Sequence, residues 1–224
     1  MRVVVIGAAG GVGRQVVAAA TAAGHEVVAA ARAVPDYLPV GARGAVVDVR
    51  DAAAVAAVVR DADAVAWCVG VTPRSGPYTA REGMRHLVAA ARPGLRVVSV
   101  SGAGADLPGD TKGLGARAVS ALTHRLAGAL VTDKEDERAV LAGSDTTWRT
   151  QVRPPRLVDT AAAGTWHLDE RAPGLLAPPV ARADVAAAVL HLLTTHTWVG
   201  QSPYLHARAS SASGSDSTGG GAQP

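Results

Sequence analysis

The most specific chemistry in the chain lies near its N-terminus, in Gly7-Ala8-Ala9-Gly10-Gly11-Val12-Gly13. Glycines spaced G-x-x-G-x-x-G let a chain turn tightly and bring its backbone against a pyrophosphate, if a strand precedes them and a helix follows. Both conditions hold: residues 3–6 are a continuous apolar run, and residues 12–23 carry a helical pattern that stops at Gly24. A helix N-terminus at that point adds unpaired N–H donors and partial positive charge. The loop therefore reads as a dinucleotide site contacted by Gly7, Gly10, Gly11, Val12 and Gly13. The competing reading is a glycine-rich turn that holds nothing.

Two further positions choose among dinucleotides. At the end of the second expected strand, where an NAD site places a carboxylate against the ribose 2′-hydroxyl, the sequence has Ala31-Arg32. An arginine there suits a 2′-phosphate and favours NADPH, the other reading being a solvated arginine at a strand end. Asp48-Val49, after the third strand, is placed to meet the adenine by hydrogen bond and by packing. Asp48 serves equally as a cap for the following turn.

These residues need a frame, and the hydrophobic pattern supplies one. Short apolar runs at 3–6, 27–31, 45–49, 64–69 and 97–101 alternate with helical stretches at 12–23, 52–60 and 80–91. Continuous apolar strands separated by helices are what a parallel sheet covered on both faces requires, so the fold class is α/β, a doubly wound parallel sheet. Beyond Ser101 the spacing predicts helices at 116–129 and 133–142, strands at 146–153 and 165–168, a helix at 184–193 and a last strand around Tyr204. One domain, 1–206, carries the dinucleotide loop and the substrate cleft. The Ser/Gly-rich stretch 207–224 lacks large apolar side chains and is expected to be disordered.

Composition narrows the function classes. With 48% hydrophobic residues and no phenylalanine among 224, the core must be built of Val, Ala, Leu and Ile, which suits β-branched strands under alanine-faced helices. A single cysteine, Cys68, excludes an intramolecular disulfide and a structural zinc cluster, and a strand beginning at Val3 leaves no signal peptide, so the expectation is a cytoplasmic protein. No apolar run is long enough to cross a bilayer. All but two of the 22 basic residues are arginine, against 19 acidic ones, and they are scattered singly rather than clustered, which argues against a nucleic-acid partner. His25-Glu26 lacks a second histidine at protease spacing, no Cys-x-x-Cys exists, and Ser101 is not in a Gly-x-Ser-x-Gly elbow, so no metal is expected.

Taken together, residues 7–13, Arg32, Asp48-Val49, Val69-Gly70-Val71-Thr72, the helix at 82–90 and the strand at 97–101 resemble the atypical short-chain reductases of the biliverdin-IXβ/flavin reductase group. Thr132-Asp133, Arg153-Pro154-Pro155-Arg156-Leu157-Val158-Asp159, Gly164-Thr165-Trp166 and Ala183-Asp184-Val185 follow in that family's order, so the resemblance covers most of 1–206. It implies a monomer or weak homodimer that uses NADPH in an open cleft at the carboxyl ends of the strands, with a small-molecule substrate and neither membrane nor nucleic acid as partner. Val69, Gly70, Val71, Pro154 and Pro155 would shape the nicotinamide end of that cleft.

The sequence departs from typical short-chain dehydrogenases in lacking Tyr-x-x-x-Lys: the residue four before Lys134 is Leu130. Lys134 reads either as a contact to the nicotinamide ribose or, given Asp133, Glu135, Asp136 and Glu137 around it, as part of an exposed first helical turn. Ser101 ends the fifth strand, where the wider superfamily keeps a hydroxyl near the reacting carbonyl and the nicotinamide, which makes it a candidate for both catalytic and cofactor contacts; in the flavin reductase group the matching position is either Ser101 or Gly102. Arg156 is placed to hold a substrate carboxylate, phosphate or phenolate, or is an exposed arginine after a proline turn. Trp67, Trp148 and Trp166 are rings available to a planar acceptor, or else to the core. The leading expectation is an NADPH-dependent reductase of a flavin, quinone, tetrapyrrole or aromatic polyketide-type carbonyl, the last in bacterial secondary metabolism, a refinement resting on the GC-rich residue usage. The alternatives are an NADP(H)-sensing NmrA-like regulator without turnover and a redox-neutral epimerase, dehydratase or cyclase.

Overall fold

The structure, a computed structural model, describes residues 1–207 apart from 73, 74, 77, 108, 109, 145, 146 and 175. The expected tail, 208–224, lies outside the described residues. Six strands, β1 (Arg2–Ile6), β2 (Glu26–Ala31), β3 (Ala42–Val46), β4 (Ala64–Trp67), β5 (Leu95–Val100) and β6 (Thr147–Val152), pair in the order β3-β2-β1-β4-β5-β6, parallel throughout. This is the doubly wound arrangement that the alternation of elements predicts.

The two faces of the sheet are filled by the alternation of side chains along each strand. Val3 and Val5 of β1 pack with Val16, Val17 and Ala20 of α1 (Gly11–Ala22) and with Val185, Val189 and Leu192 of α5 (Arg182–Thr194). Val4 and Ile6 point the other way, onto Val55 and Val59 of α2 (Ala52–Val59), Met84 and Leu87 of α3 (Thr79–Ala90) and Leu141 of α4 (Leu114–Ala142). Aliphatic side chains fill both layers, and Trp67 is the one large ring at the centre of the second. Arg96 is buried in β5 and donates to the carbonyls of Leu192 and Trp148 at 2.8 and 2.9 Å and to Thr150 Oγ1 at 2.9 Å, tying α5 and β6 to the sheet. Burial lowers its pKa to about 10.

Two small sheets complete the domain: β10 (Tyr204–Ala207) runs antiparallel to β8 (Trp166–Asp169), and β7 (Leu157–Val158) runs parallel to β9 (Val180–Ala181). Among the described residues no helix is long and apolar enough to cross a membrane.

The structure moves three of the expected elements. The third strand is Ala42–Val46 rather than 45–49: it is an edge strand registered on Val27–Ala31, so exposed Arg43 and Gly44 are accommodated, while Val47 and Val49 leave the ladder and turn into the core. The helices expected at 116–129 and 133–142 run together as α4, which breaks from helical geometry at Ala127 (φ −142°) beside Gly128, a residue about 1 kcal/mol poorer than alanine in a helix. Trp148 is 45% exposed and packs edge-on against His196, and Trp166 packs edge-on against His191, so neither ring faces the crevice described next.

Candidate active site

The strand order reverses between β1 and β4, and there the loop joining β1 to α1 opens onto a crevice at the carboxyl ends of the strands. Gly7 has φ +86°, and a Cβ on it would stand 2.5 Å from the Cys68 carbonyl oxygen. Gly13 lies so close beneath the turn that a Cβ there would be 2.2 Å from the Gly7 carbonyl oxygen. Gly10 is the N-cap of α1 and offers no side chain to its first N–H groups, and the first turn has no acid, which leaves these donors for an anion. Gly10, Gly11 and Val12 line the crevice wall.

Arg32 leaves the end of β2 exposed, with no ion-pair partner among the described residues. The loop after it folds back on the phosphate loop: the Tyr37 hydroxyl donates to the Ala8 carbonyl, and the Arg14 guanidinium lies 4.3 Å above the Tyr37 ring. Asp48 accepts the Arg50 N–H at 3.0 Å and so caps its turn, the second of its two sequence readings. Val49 is buried against Gly83 and Trp67, so its apolar surface is spent on the core under α3.

A cavity of about 410 Å³ is walled by Val69, Gly70, Val71, Ser101, Lys134 and the phosphate loop. The Ser101 Oγ is buried and finds no hydrogen-bond partner among the described residues, an orphaned donor and acceptor that a ligand oxygen would satisfy. A Cβ on Gly70 or Gly102 would meet nothing within 4 Å, so both leave open space above the strand ends. Cys68 lies in the same wall. Burial pushes its thiol up to about 12 from an ordinary 9.0, which cuts the thiolate fraction at pH 8 about a thousandfold. The native protein is therefore expected to label slowly with iodoacetamide at pH 8 and to react fully once unfolded, as a mass-shift time course would show; rapid native labelling would contradict the raised thiol pKa.

Lys134 is not in an exposed first turn. It sits deep in α4 with its side chain 11% exposed, donating to the Val69 carbonyl at 3.3 Å and to Glu137 Oε2 at 2.5 Å. Glu137 is wholly buried and also accepts the Trp67 indole N–H at 2.9 Å. Burial raises its carboxyl above the ordinary value against the opposing pull of the Lys134 ammonium. Asp133, one residue earlier, accepts the backbone N–H groups of Ala80 and Arg81 at 3.0 and 2.9 Å. It thereby caps α3, whose own N-cap, Tyr78, makes no side-chain cap and has φ 61°. The acidic run 133–137 thus divides: two of its carboxylates hold α4 in register so that Lys134 faces the cavity.

A second chamber of about 690 Å³ shares Gly102, Gly104 and Thr123 with the first and is lined by Pro154, Pro155 and Arg156. Arg156 is exposed at its mouth, its carbonyl held by the Val180 N–H. Lys112 ties Ala105 and Asp106 to α4: its ammonium donates to Ala105 O at 2.7 Å, Asp106 at 2.6 Å and Ser120 Oγ at 2.8 Å. His124 joins Asp106 and Glu135 in the same network. Its pKa is raised by the Ser120 carbonyl and then by those carboxylates. The group resembles a set of metal ligands, yet the Lys112 ammonium already supplies the cation.

The NAD(P)H-binding family model matches residues 7–196, from the first loop glycine to beyond α5. The chain belongs to the NAD(P)H-binding family. No curated protein matches it by sequence. Solved structures share the fold: ChuY, an anaerobillin reductase from Escherichia coli O157:H7, at 22% identity and TM-score 0.73, covering 93% of this chain and 98% of that one. A Streptococcus pneumoniae protein named for NADH-flavin reductase activity matches at 19% identity and TM-score 0.75, covering 93% and 100%. The oxidoreductase ylbE from Lactococcus lactis matches at 19% and 0.73, covering 93% and 91%.

For a nicotinamide dinucleotide of this family, the glycine cradle, the uncapped α1 terminus and the orphaned Ser101 hydroxyl are a consistent fit. Four residues of this site escape a reading of the sequence alone: Tyr37, Asp133, Glu137 and Arg182, the last of which lines the cavity beside Gly11. Glu137 had a local signal in its i+3 spacing from Lys134, and Asp133 one in the Thr132-Asp133 pair.

Proposed function

We propose that the protein is a cytoplasmic NADPH-dependent reductase, acting as a monomer or weak homodimer, that passes hydride to a planar acceptor such as a flavin, quinone, tetrapyrrole or aromatic carbonyl compound. The observation that carries this reading is the continuous apolar cleft between the phosphate loop and Ser101–Lys134, with a second chamber beside it wide enough for an acceptor. Bound NADPH supplies the hydride. The chain orients and excludes: Val69, Val71, Val100 and Leu130 keep water from the reacting face, and Gly70 and Gly102 leave room for two flat molecules to approach. Ser101 and Lys134 are protic groups facing that space beside the strand ends, and Lys134 is the proton donor in place of the missing tyrosine. Arg156 would hold an anionic substituent of the acceptor.

The exposed, unpaired Arg32 supports NADPH over NADH. Loss of NADPH absorbance with FMN, a naphthoquinone or a linear tetrapyrrole is the expected result, and Arg32→Glu should weaken NADPH binding about tenfold to a hundredfold with NADH little changed. Tight NADPH binding without oxidation by any acceptor in such a panel would overturn the reductase reading and favour a sensor.

A further inference from the structure

Arg182 is a cation that the phosphate loop borrows from the other end of the domain. It opens α5, immediately after β9, more than 160 residues from the glycines it approaches. A Cβ on Gly11 would stand 2.6 Å from Arg182 Nε and 2.7 Å from its Cδ, so the guanidinium lies directly over the first residue of α1. It faces the same cavity as Gly10, Gly11 and Val12. Its present partner is Asp159, at 2.6 Å, in the loop after β7. The two ends of that ion pair differ: the Asp159 side chain is 83% exposed, whereas that of Arg182 is 27% exposed. A carboxylate so solvated is a weak partner, and a doubly charged pyrophosphate seated on α1's N–H groups would outcompete it.

We propose that Arg182 is the charged clamp of the cofactor pyrophosphate and that Asp159 is its competitor, holding the guanidinium in place until a dinucleotide arrives. This rests on the family's dinucleotide site and adds to it a residue from the C-terminal half. The planar fork of arginine presents parallel N–H donors suited to phosphate oxygens, and α1 has no basic residue in its first turn other than exposed Arg14, which is engaged on Tyr37. The pairing also explains why Gly11 has no side chain: the space is filled by Arg182. Exchange of one partner for another would couple cofactor binding to the 159–164 loop, whose far end is held by Asp184 through the Ala163 and Gly164 N–H groups at 2.9 and 3.0 Å.

Binding, not turnover, tests the clamp. Titrations of the full chain by cofactor fluorescence or calorimetry would compare NADPH, ADP-ribose, which keeps the pyrophosphate, and adenosine 2′-monophosphate, which lacks it. Arg182→Gln is expected to weaken NADPH and ADP-ribose by about tenfold to a hundredfold and to leave adenosine 2′-monophosphate unchanged. Asp159→Asn is expected to tighten NADPH and ADP-ribose about twofold to fivefold. These opposite signs separate the clamp from a merely structural ion pair, whose two halves would change stability alike and affinity not at all. Should Arg182→Gln fold poorly in a thermal melt, Arg182→Lys keeps the charge without the fork and is expected to retain part of the affinity for both pyrophosphate probes. Unchanged ADP-ribose affinity in folded Arg182→Gln overturns the proposal alone. Failure of the unaltered protein to bind NADPH or NADH overturns the dinucleotide site itself, and the clamp with it.

Discussion

Replacing Gly13 with alanine is expected to weaken dinucleotide binding about a hundredfold. The new Cβ would stand 2.2 Å from the Gly7 carbonyl oxygen, 2.9 Å from its carbon and 3.0 Å from Ala8 Cα, and none of these backbone atoms can swing aside as a side chain can. Either α1 retreats from β1 or the turn opens. The first disturbs the packing of Val16 and Val17 on the sheet, and the second withdraws the N–H groups from the anion. Overpacking of this kind costs about 1–3 kcal/mol, and the lost phosphate geometry should lower NADPH affinity by two orders of magnitude or roughly so. Gly128→Ala is the matching control: a Cβ there meets nothing within 4 Å, and alanine gains up to about 1 kcal/mol of helix propensity, so binding should persist and thermal stability should hold or rise. Gly13→Ala binding NADPH within about twofold of the unaltered protein would refute the close approach that the structure shows.

The pair formed by Lys134 and Glu137 should give the second large effect. Glu137→Ala leaves the Lys134 ammonium poorly exposed with its main counter-charge gone and the Trp67 indole without an acceptor, a loss of about 3–5 kcal/mol in denaturant unfolding. Lys134→Met/Glu137→Leu removes both charges together and should recover most of that stability while losing turnover on the order of a hundredfold. Stability and activity would thereby part company, which is the signature of a pair kept for its chemistry. The pH dependence has a definite sign. Because burial holds the Glu137 carboxyl above its ordinary 4.5, the folded chain keeps a proton where the unfolded chain has lost it. Its contribution is therefore full below about pH 4.5 and declines as the pH rises through the folded value, and Glu137→Gln should flatten that limb of the stability curve. A double variant no more stable than Glu137→Ala would show that the two side chains do not act as a pair.

The parts of this protein that were legible in its sequence are those written in short-range patterns. Continuous apolar runs of strand length predict a sheet buried on both faces, and glycines that follow a strand and precede a helix predict the phosphate loop. Each depends on the spacing of a few neighbouring residues. The third strand was misplaced by three residues because an edge strand needs only one buried face and its polar members mask the pattern. Burial and partnership, by contrast, belong to residues far apart in the chain. Four acidic residues around Lys134 look like a solvated turn until α4 is laid against α3 and β4, when Asp133 becomes a cap, Glu137 a buried carboxyl and Lys134 the ammonium facing the cavity. Arg182 is one arginine among many until the sheet brings α5 beside α1 and sets its guanidinium over Gly11. The sequence alone determined the fold class and the dinucleotide loop, since both are local periodicities; only the tertiary structure decided which charges are buried, because desolvation depends on what the rest of the chain places around them.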